Sequence, residues 1–91
     1  MRWRISAVDR LDWRRLDEEI VVRNDVTGST HLLDSLSAEL LHTLLGAQTP
    51  LSAGELAAQL AAGETVPQEF SSSIEATLSE FKRLGLAEPS E

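Results

Sequence analysis

The chain has 91 residues, no cysteine and a formal net charge of −7. That length suits one domain, and the missing cysteine excludes disulfides, thiolate zinc sites and cysteine nucleophiles. No apolar run approaches the roughly 20 residues of a membrane span, and residues 1–15 carry arginines rather than a signal peptide's apolar core, so the expectation is a soluble cytoplasmic protein with no membrane partner.

The charge is uneven. Up to residue 16, five arginines face two aspartates, a balance of +3; from residue 17 on, three basic residues face 13 acidic ones, a balance of −10. Most of the chain would repel a phosphate backbone. The early arginines read most simply as charges that guard an edge strand; the alternative is attraction of an acidic partner.

"RWRISA", residues 2–7, alternates, with Trp3, Ile5 and Ala7 on one face and Arg2, Arg4 and Ser6 on the other. This is the pattern of a half-buried strand. "VDRLDWRRLD" has no clean period and reads as a loop or a short strand around Trp13. "EEIVVRN" is a β-branched strand with Ile20 and Val22 on one face and Val21 and Arg23 on the other. "NDVTGS" carries turn residues, and "STHLL" is the return strand of an antiparallel hairpin.

A first helix is expected over 34–46, capped by Asp34 or Ser35 and closed by Gly46. Its apolar arc is Leu36, Leu40 and Leu44, widened by Leu41 and Leu45, with His42 on the wet side near Glu39. A second helix is expected over 52–62, because Ser52 and Glu55 have the spacing of a capping box and Gly63 can end it. A third is expected over 67–84, with Pro67 at its first position, Phe70, Ile74, Leu78 and Phe81 as its stripe, Thr77 and Leu84 in the same arc, and Gly85 as its stop. "LAEP" reads as a last extended stub. The whole is one domain over 1–91, β-rich over 1–33. The class is α+β: a small winged helix-turn-helix-like domain, with an N-terminal antiparallel hairpin or three-stranded sheet followed by three helices.

Chemical sites are scarce. His31 and His42 are the two histidines. A zinc site would need carboxylates for both remaining ligands, so no metal is expected. No serine stands in a nucleophile elbow, and "TGST" lacks the ending of a phosphate loop, so neither an enzyme nor a cofactor is expected. Trp3 and Trp13 read most simply as core, with a binding-surface aromatic as the alternative. The helix-turn-helix suggests DNA, through Gln68, Glu69, Ser72, Glu75, Ser79, Lys82 and Arg83 on the outer face of the third helix. The glutamates argue against that, since phosphate neutralisation dominates nucleic-acid affinity, and no nucleic-acid partner is expected.

"EEIVV", "TGSTHLLD", "PLSAGELA" and "LGLAEP" together resemble the PqqD-like family of peptide chaperones, also called RiPP recognition elements. Within it they resemble the subset found with an HPr-kinase-related protein, the HPr-rel-A system. The resemblance covers roughly residues 11–89. It implies a non-enzymatic adaptor that captures a segment of a precursor peptide by β-augmentation and presents it to a modifying enzyme or to the HPr-kinase-like partner. It further implies that the peptide lies beside Ser29, Thr30, His31, Leu32 and Leu33, facing Ser73, Thr77, Glu80 and Phe81. The alternatives are a winged-helix DNA-binding regulator and a structural subunit that pairs weakly with its own copy through a free edge.

Overall fold

In the structure, a computed structural model, residues 1–6, 11–17, 19–25, 27–47 and 49–90 are described. The strands are β1 (Arg2–Ile5), β2 (Leu11–Leu16), β3 (Glu19–Asn24), β4 (Ser29–Leu33), β5 (Leu51–Ser52) and β6 (Ala87–Ser90). The helices are α1 (Ser35–Gly46), α2 (Ala53–Leu60) and α3 (Gln68–Leu84). The strands form two antiparallel three-stranded sheets, one ordered β2-β3-β4 and the other β5-β1-β6.

The first sheet follows from its alternation. Ile20 and Val22 of β3 are fully buried, while Val21 between them is half-buried and Arg23 is exposed. β4 returns antiparallel, placing His31 beside Val22 and Leu33 beside Ile20. The "LDWRRL" stretch, which has no clean period, forms a full strand: β2 pairs with β3 from Leu11 beside Asn24 to Leu16 beside Glu19.

β1 departs from expectation. It does not join the hairpin and is not an edge, because β5 and β6 flank it on either side. Alternation reveals a strand but not its partners, and these partners lie far along the chain. Nor do its arginines guard an edge: Arg2 reaches Glu55 at 2.8 Å and Arg4 reaches Glu88 at 3.6 Å. The expected inward position Ala7 lies outside the described residues. The "LAEP" stub is β6, and Pro89 is tolerated there because β6 is the outer strand of its sheet.

One core joins both sheets to the helices, with Leu40 and Leu41 of α1, Leu56 of α2, and Ile74, Leu78 and Phe81 of α3 all but fully buried. The tryptophans divide. Trp3 is buried at 8% exposure, but Trp13 is 39% exposed and is not core. Its ring meets that of His42 on the exposed side of α1.

The helix ends largely follow the sequence. Asp34 caps α1, its Oδ1 accepting from Ser37 N at 2.9 Å. Gly46 is the last helical residue rather than a left-handed stop, and extended Ala47 follows it as the cap. Ser52 and Glu55 make the capping box: Ser52 Oγ accepts from Glu55 N at 3.1 Å, and Glu55 Oε1 accepts from Ser52 N at 2.9 Å. α2 ends two residues earlier than expected, at Leu60. Pro67 caps α3 from outside rather than opening it, and Gly85, at φ 76°, closes it in the left-handed region.

Candidate functional site: the β4 edge and its cleft

β4 is short and uncharged. Ser29, His31 and Leu33 turn towards the helices, and Thr30 and Leu32 turn outward, leaving Leu32 63% exposed. β4 ends its sheet, so among the described residues one of its sides has no partner strand. Such a side presents unpaired N–H and C=O groups.

An open cleft of about 420 Å³ runs between this strand and α3. Thr30, His31, Leu32 and Leu33 form one wall, and Thr77, Glu80 and Phe81 form the facing one. Two residues named from the sequence do not line it. Ser29 lies at the turn, its hydroxyl 3.0 Å from that of Thr27, and Ser73 is exposed one turn of helix away. The cleft gains four residues not singled out as site residues: Asp34 and Ser37 at the start of α1, and Arg83 and Leu84 at the end of α3. Leu84 stands on the α3 stripe and Arg83 three residues after Glu80, so both positions were readable as neighbours of Phe81 and Glu80. That the start of α1 reaches the cleft depends on how the chain turns at Asp34, for which the sequence carries no signal.

The polar groups are mostly engaged within the chain. Arg83 Nε donates to Glu80 Oε2 at 3.0 Å, and Arg83 Nη2 donates to the other carboxylate oxygen. These bonds, together with the charge of Arg83, hold the Glu80 carboxyl below its ordinary value, and they raise the Arg83 guanidinium above its own. Thr77 donates its hydroxyl to Ser73 O at 2.8 Å, and Asp34 caps α1. His31 Nε2 differs. It is buried and, among the described residues, it is the one buried side-chain polar atom with no hydrogen-bond partner.

The second histidine lies elsewhere. His42 is exposed on α1, where the edge of the Trp13 ring meets it at 6.1 Å between centroids and 73° between planes. Among the described residues no three histidine or carboxylate side chains gather as a metal would require. No described helix is long and apolar enough to cross a membrane. On the outer face of α3, Glu69 and Glu75 are exposed, and Arg83 is bound to Glu80, leaving Lys82 as the α3 cation outside an ion pair among the described residues.

No family model matches the chain, and no curated protein matches it in sequence. Solved structures do share its architecture. One is TbiB1 in complex with the TbiA(beta) leader peptide, 19% identical, with a TM-score of 0.77 over 97% of this chain and 98% of that one. Another is lasso peptide synthetase B1 complexed with the leader peptide, 20% identical, with a TM-score of 0.73 over 98% of this chain and 100% of that one. At these identities the likeness is one of fold, and it extends over nearly the whole chain. The fold is the small α+β fold that the PqqD-like resemblance calls for.

Proposed function

We propose that this chain is a non-enzymatic adaptor that binds a segment of a precursor peptide and presents it to a modifying enzyme or to an HPr-kinase-related partner. The peptide adds as an antiparallel strand beside β4. Backbone hydrogen bonds along the free side of β4 supply affinity, and side chains of the peptide alternate between the cleft against α3 and solvent. The observation that carries this reading is the coincidence of a neutral, unpaired edge strand with an open cleft along that same edge. The leader peptides bound to the two proteins of like fold support it.

The test is an amide-resolved NMR titration with overlapping segments of precursor peptides encoded near the gene. One segment should shift Thr30 to Leu33 and Thr77 to Phe81 and slow hydrogen exchange at the outward amides of β4. Shifts confined to Ser72, Glu75, Ser79 and Lys82 would replace edge pairing by docking on the outer face of α3. Sequence-selective DNA binding near 10⁻⁸ M at about 150 mM salt, the range of specific DNA-binding proteins, would overturn the adaptor altogether.

A further inference from the structure

The outer face of the first sheet carries an apolar stripe that runs to its free edge. The core lies on the other face, where Ile20, Val22 and Leu33 are buried. Alternation therefore turns Leu16 of β2, Val21 of β3 and Leu32 of β4 outward. Val21 stands directly beside Leu32, and Leu16, which pairs with Glu19, is the diagonal neighbour of Val21. Residues so placed on one face are within reach of each other. Leu16 is 47% exposed and Leu32 63%, with Val21 half-buried between them. A single exposed leucine needs no explanation. A contiguous stripe on the face that ordinarily alternates to polar residues, ending at an unpaired strand, does need one.

The register says what covers the end of that stripe, on the reading that an extended peptide pairs with β4. A strand added there continues the pleat of the sheet. The peptide residue directly beside Leu32 then turns to the outer face, with its Cβ about 4.5–5.5 Å from that of Leu32. It stands to Leu32 as Val21 does on the other side. An apolar side chain at this position takes its own surface and that of Leu32 out of water together, whereas a charged or amide side chain leaves both wet. A β-branched or aromatic one also suits the pleated backbone it must adopt. Leu16, three strand spacings or about 14 Å from the peptide, is beyond the reach of that side chain.

We propose that Leu32 is a specificity-determining residue of the β4 edge, selecting extended peptides that carry a β-branched or aromatic apolar residue at the position directly beside it. The peptide is then read on both faces of the sheet: its inward side chains meet the cleft, and this outward one completes the stripe of Leu16, Val21 and Leu32.

The test uses the full chain and a displayed library of random dodecapeptides. Peptides selected on the chain are bound to labelled protein, and cross-strand NOEs identify the residue beside Leu32. That residue should be β-branched or aromatic and apolar. Replacing it by alanine in the peptide should weaken binding about threefold to fivefold, the upper part of the range for one cross-strand pair. Leu32→Ala should leave the melting temperature nearly unchanged, because the side chain is exposed, and to this variant the two peptides should bind alike. The peptide-side substitution reads the same contact should Leu32→Ala fail to fold. Leu16→Ala should leave binding as it is. If it weakens binding as much as Leu32→Ala, the stripe is covered by a ligand folded over the outer face, and selection by a directly paired residue is wrong. If the NOEs place the peptide along β4 and the residue beside Leu32 is polar, or its alanine version binds as tightly, the role of Leu32 falls and the adaptor stands. If no selected peptide touches β4, the adaptor reading itself falls and this inference with it.

Discussion

β2 and β4 are the two edges of one sheet, both antiparallel to β3, and they are finished differently. β2 reads "LDWRRL" and carries Asp12, Arg14 and Arg15. It is also tied to α1: Arg15 Nη2 donates to Glu39 at 2.9 Å, and Trp13 sets its ring edge against His42. β4 reads "STHLL", carries no charge and opens onto the cleft. Charges on an edge oppose the pairing of another strand, because a desolvated backbone contact would bury or crowd them. The same sheet thus discourages a strand on one side and leaves the other side available. On the proposed reading, the contrast between the edges, rather than either strand alone, sets the side on which a peptide pairs.

The contrast should appear first in stability, where the differences are largest. Phe81 is 1% exposed in the core and also floors the cleft. Phe81→Ala should cost about 3–5 kcal/mol in urea unfolding, and Leu40→Ala about 2–5. Trp13→Ala, on the β2 side, should cost about 1 kcal/mol despite the larger side chain, since its ring is 39% exposed. Equal losses for Phe81→Ala and Trp13→Ala would show that β2 is clamped as tightly as the core, and the contrast would fail.

A smaller effect concerns what sets the spacing of the cleft. Asn24, at the end of β3, is 3% exposed, and its Nδ2 donates to Gly85 O at 3.0 Å. That bond ties the hairpin to the close of α3, and so ties one wall of the cleft to the other. Asn24→Ala should cost about 1–3 kcal/mol, the range for leaving a buried group unpaired. Gly85→Ala should act on the same junction, because Gly85 has a positive φ of 76° and an added Cβ would lie 3.0 Å from Asn24 Nδ2. Both variants should weaken peptide binding beyond any change from Trp13→Ala. Unfolding curves and titrations on the same samples separate the two effects.

Proline substitution sharpens the comparison at the backbone. Successive amides in a strand point to opposite sides, so of Thr30→Pro and His31→Pro one removes a bond to β3 and the other an outward amide. The first should lower the melting temperature. The second should leave it nearly unchanged and reduce peptide binding at least tenfold, while alanine at the same position does much less. The same pair of substitutions at Arg14 and Arg15 on β2 should leave peptide binding unchanged, and only the one that removes a bond to β3 should lower the melting temperature. Loss of binding from an outward-facing proline on β2 would mean the wrong edge had been assigned.

How much of this was legible in the sequence depended on how local the determinants were. The hairpin, the capping box of Ser52 and Glu55, and the Ile74–Leu78–Phe81 stripe are written within a few residues of one another, and each lies where the sequence places it. Trp3, Arg2 and Arg4 announce a strand, but their partners are a two-residue strand and a strand containing proline, neither with a readable period. The sequence therefore gives no sign that β1 belongs to a second sheet. For Trp13, size and apolarity argue for burial, whereas its exposure follows from its place on β2, an outer strand of the sheet. In the cleft, the alternation of β4 and the periodicity of α3 bring Thr30 to Leu33 opposite Thr77, Glu80 and Phe81. The three-residue spacing allows Arg83 to pair with Glu80, but helix position alone does not show that Arg83 lines the cleft rather than the outer face of α3.

The smallest expected effect is that of acid on the cleft, and its sign is fixed. Arg83 holds the Glu80 carboxyl below its ordinary value of 4.5. A carboxyl whose value is depressed on folding contributes stability that is present above the ordinary value and is lost as pH falls through the depressed one. Glu80→Gln should therefore melt slightly below the wild type at neutral pH, and the gap should close as the solution is acidified from the ordinary carboxylate value down through the depressed one. The pair is exposed on both members, so added salt should shrink the gap as well. Glu55 offers a control outside the cleft. It is held down first by the Ser52 amide and then by Arg2, so Glu55→Gln should show the same closure with acid. Its gap should resist salt better, because a hydrogen bond from a backbone amide is less screened than a contact between two exposed charges. Equal salt sensitivity in the two variants would mean that Arg2, rather than the Ser52 amide, governs Glu55. A gap for Glu80→Gln that widened in acid would mean that the carboxylate is repelled in the folded cleft rather than held there.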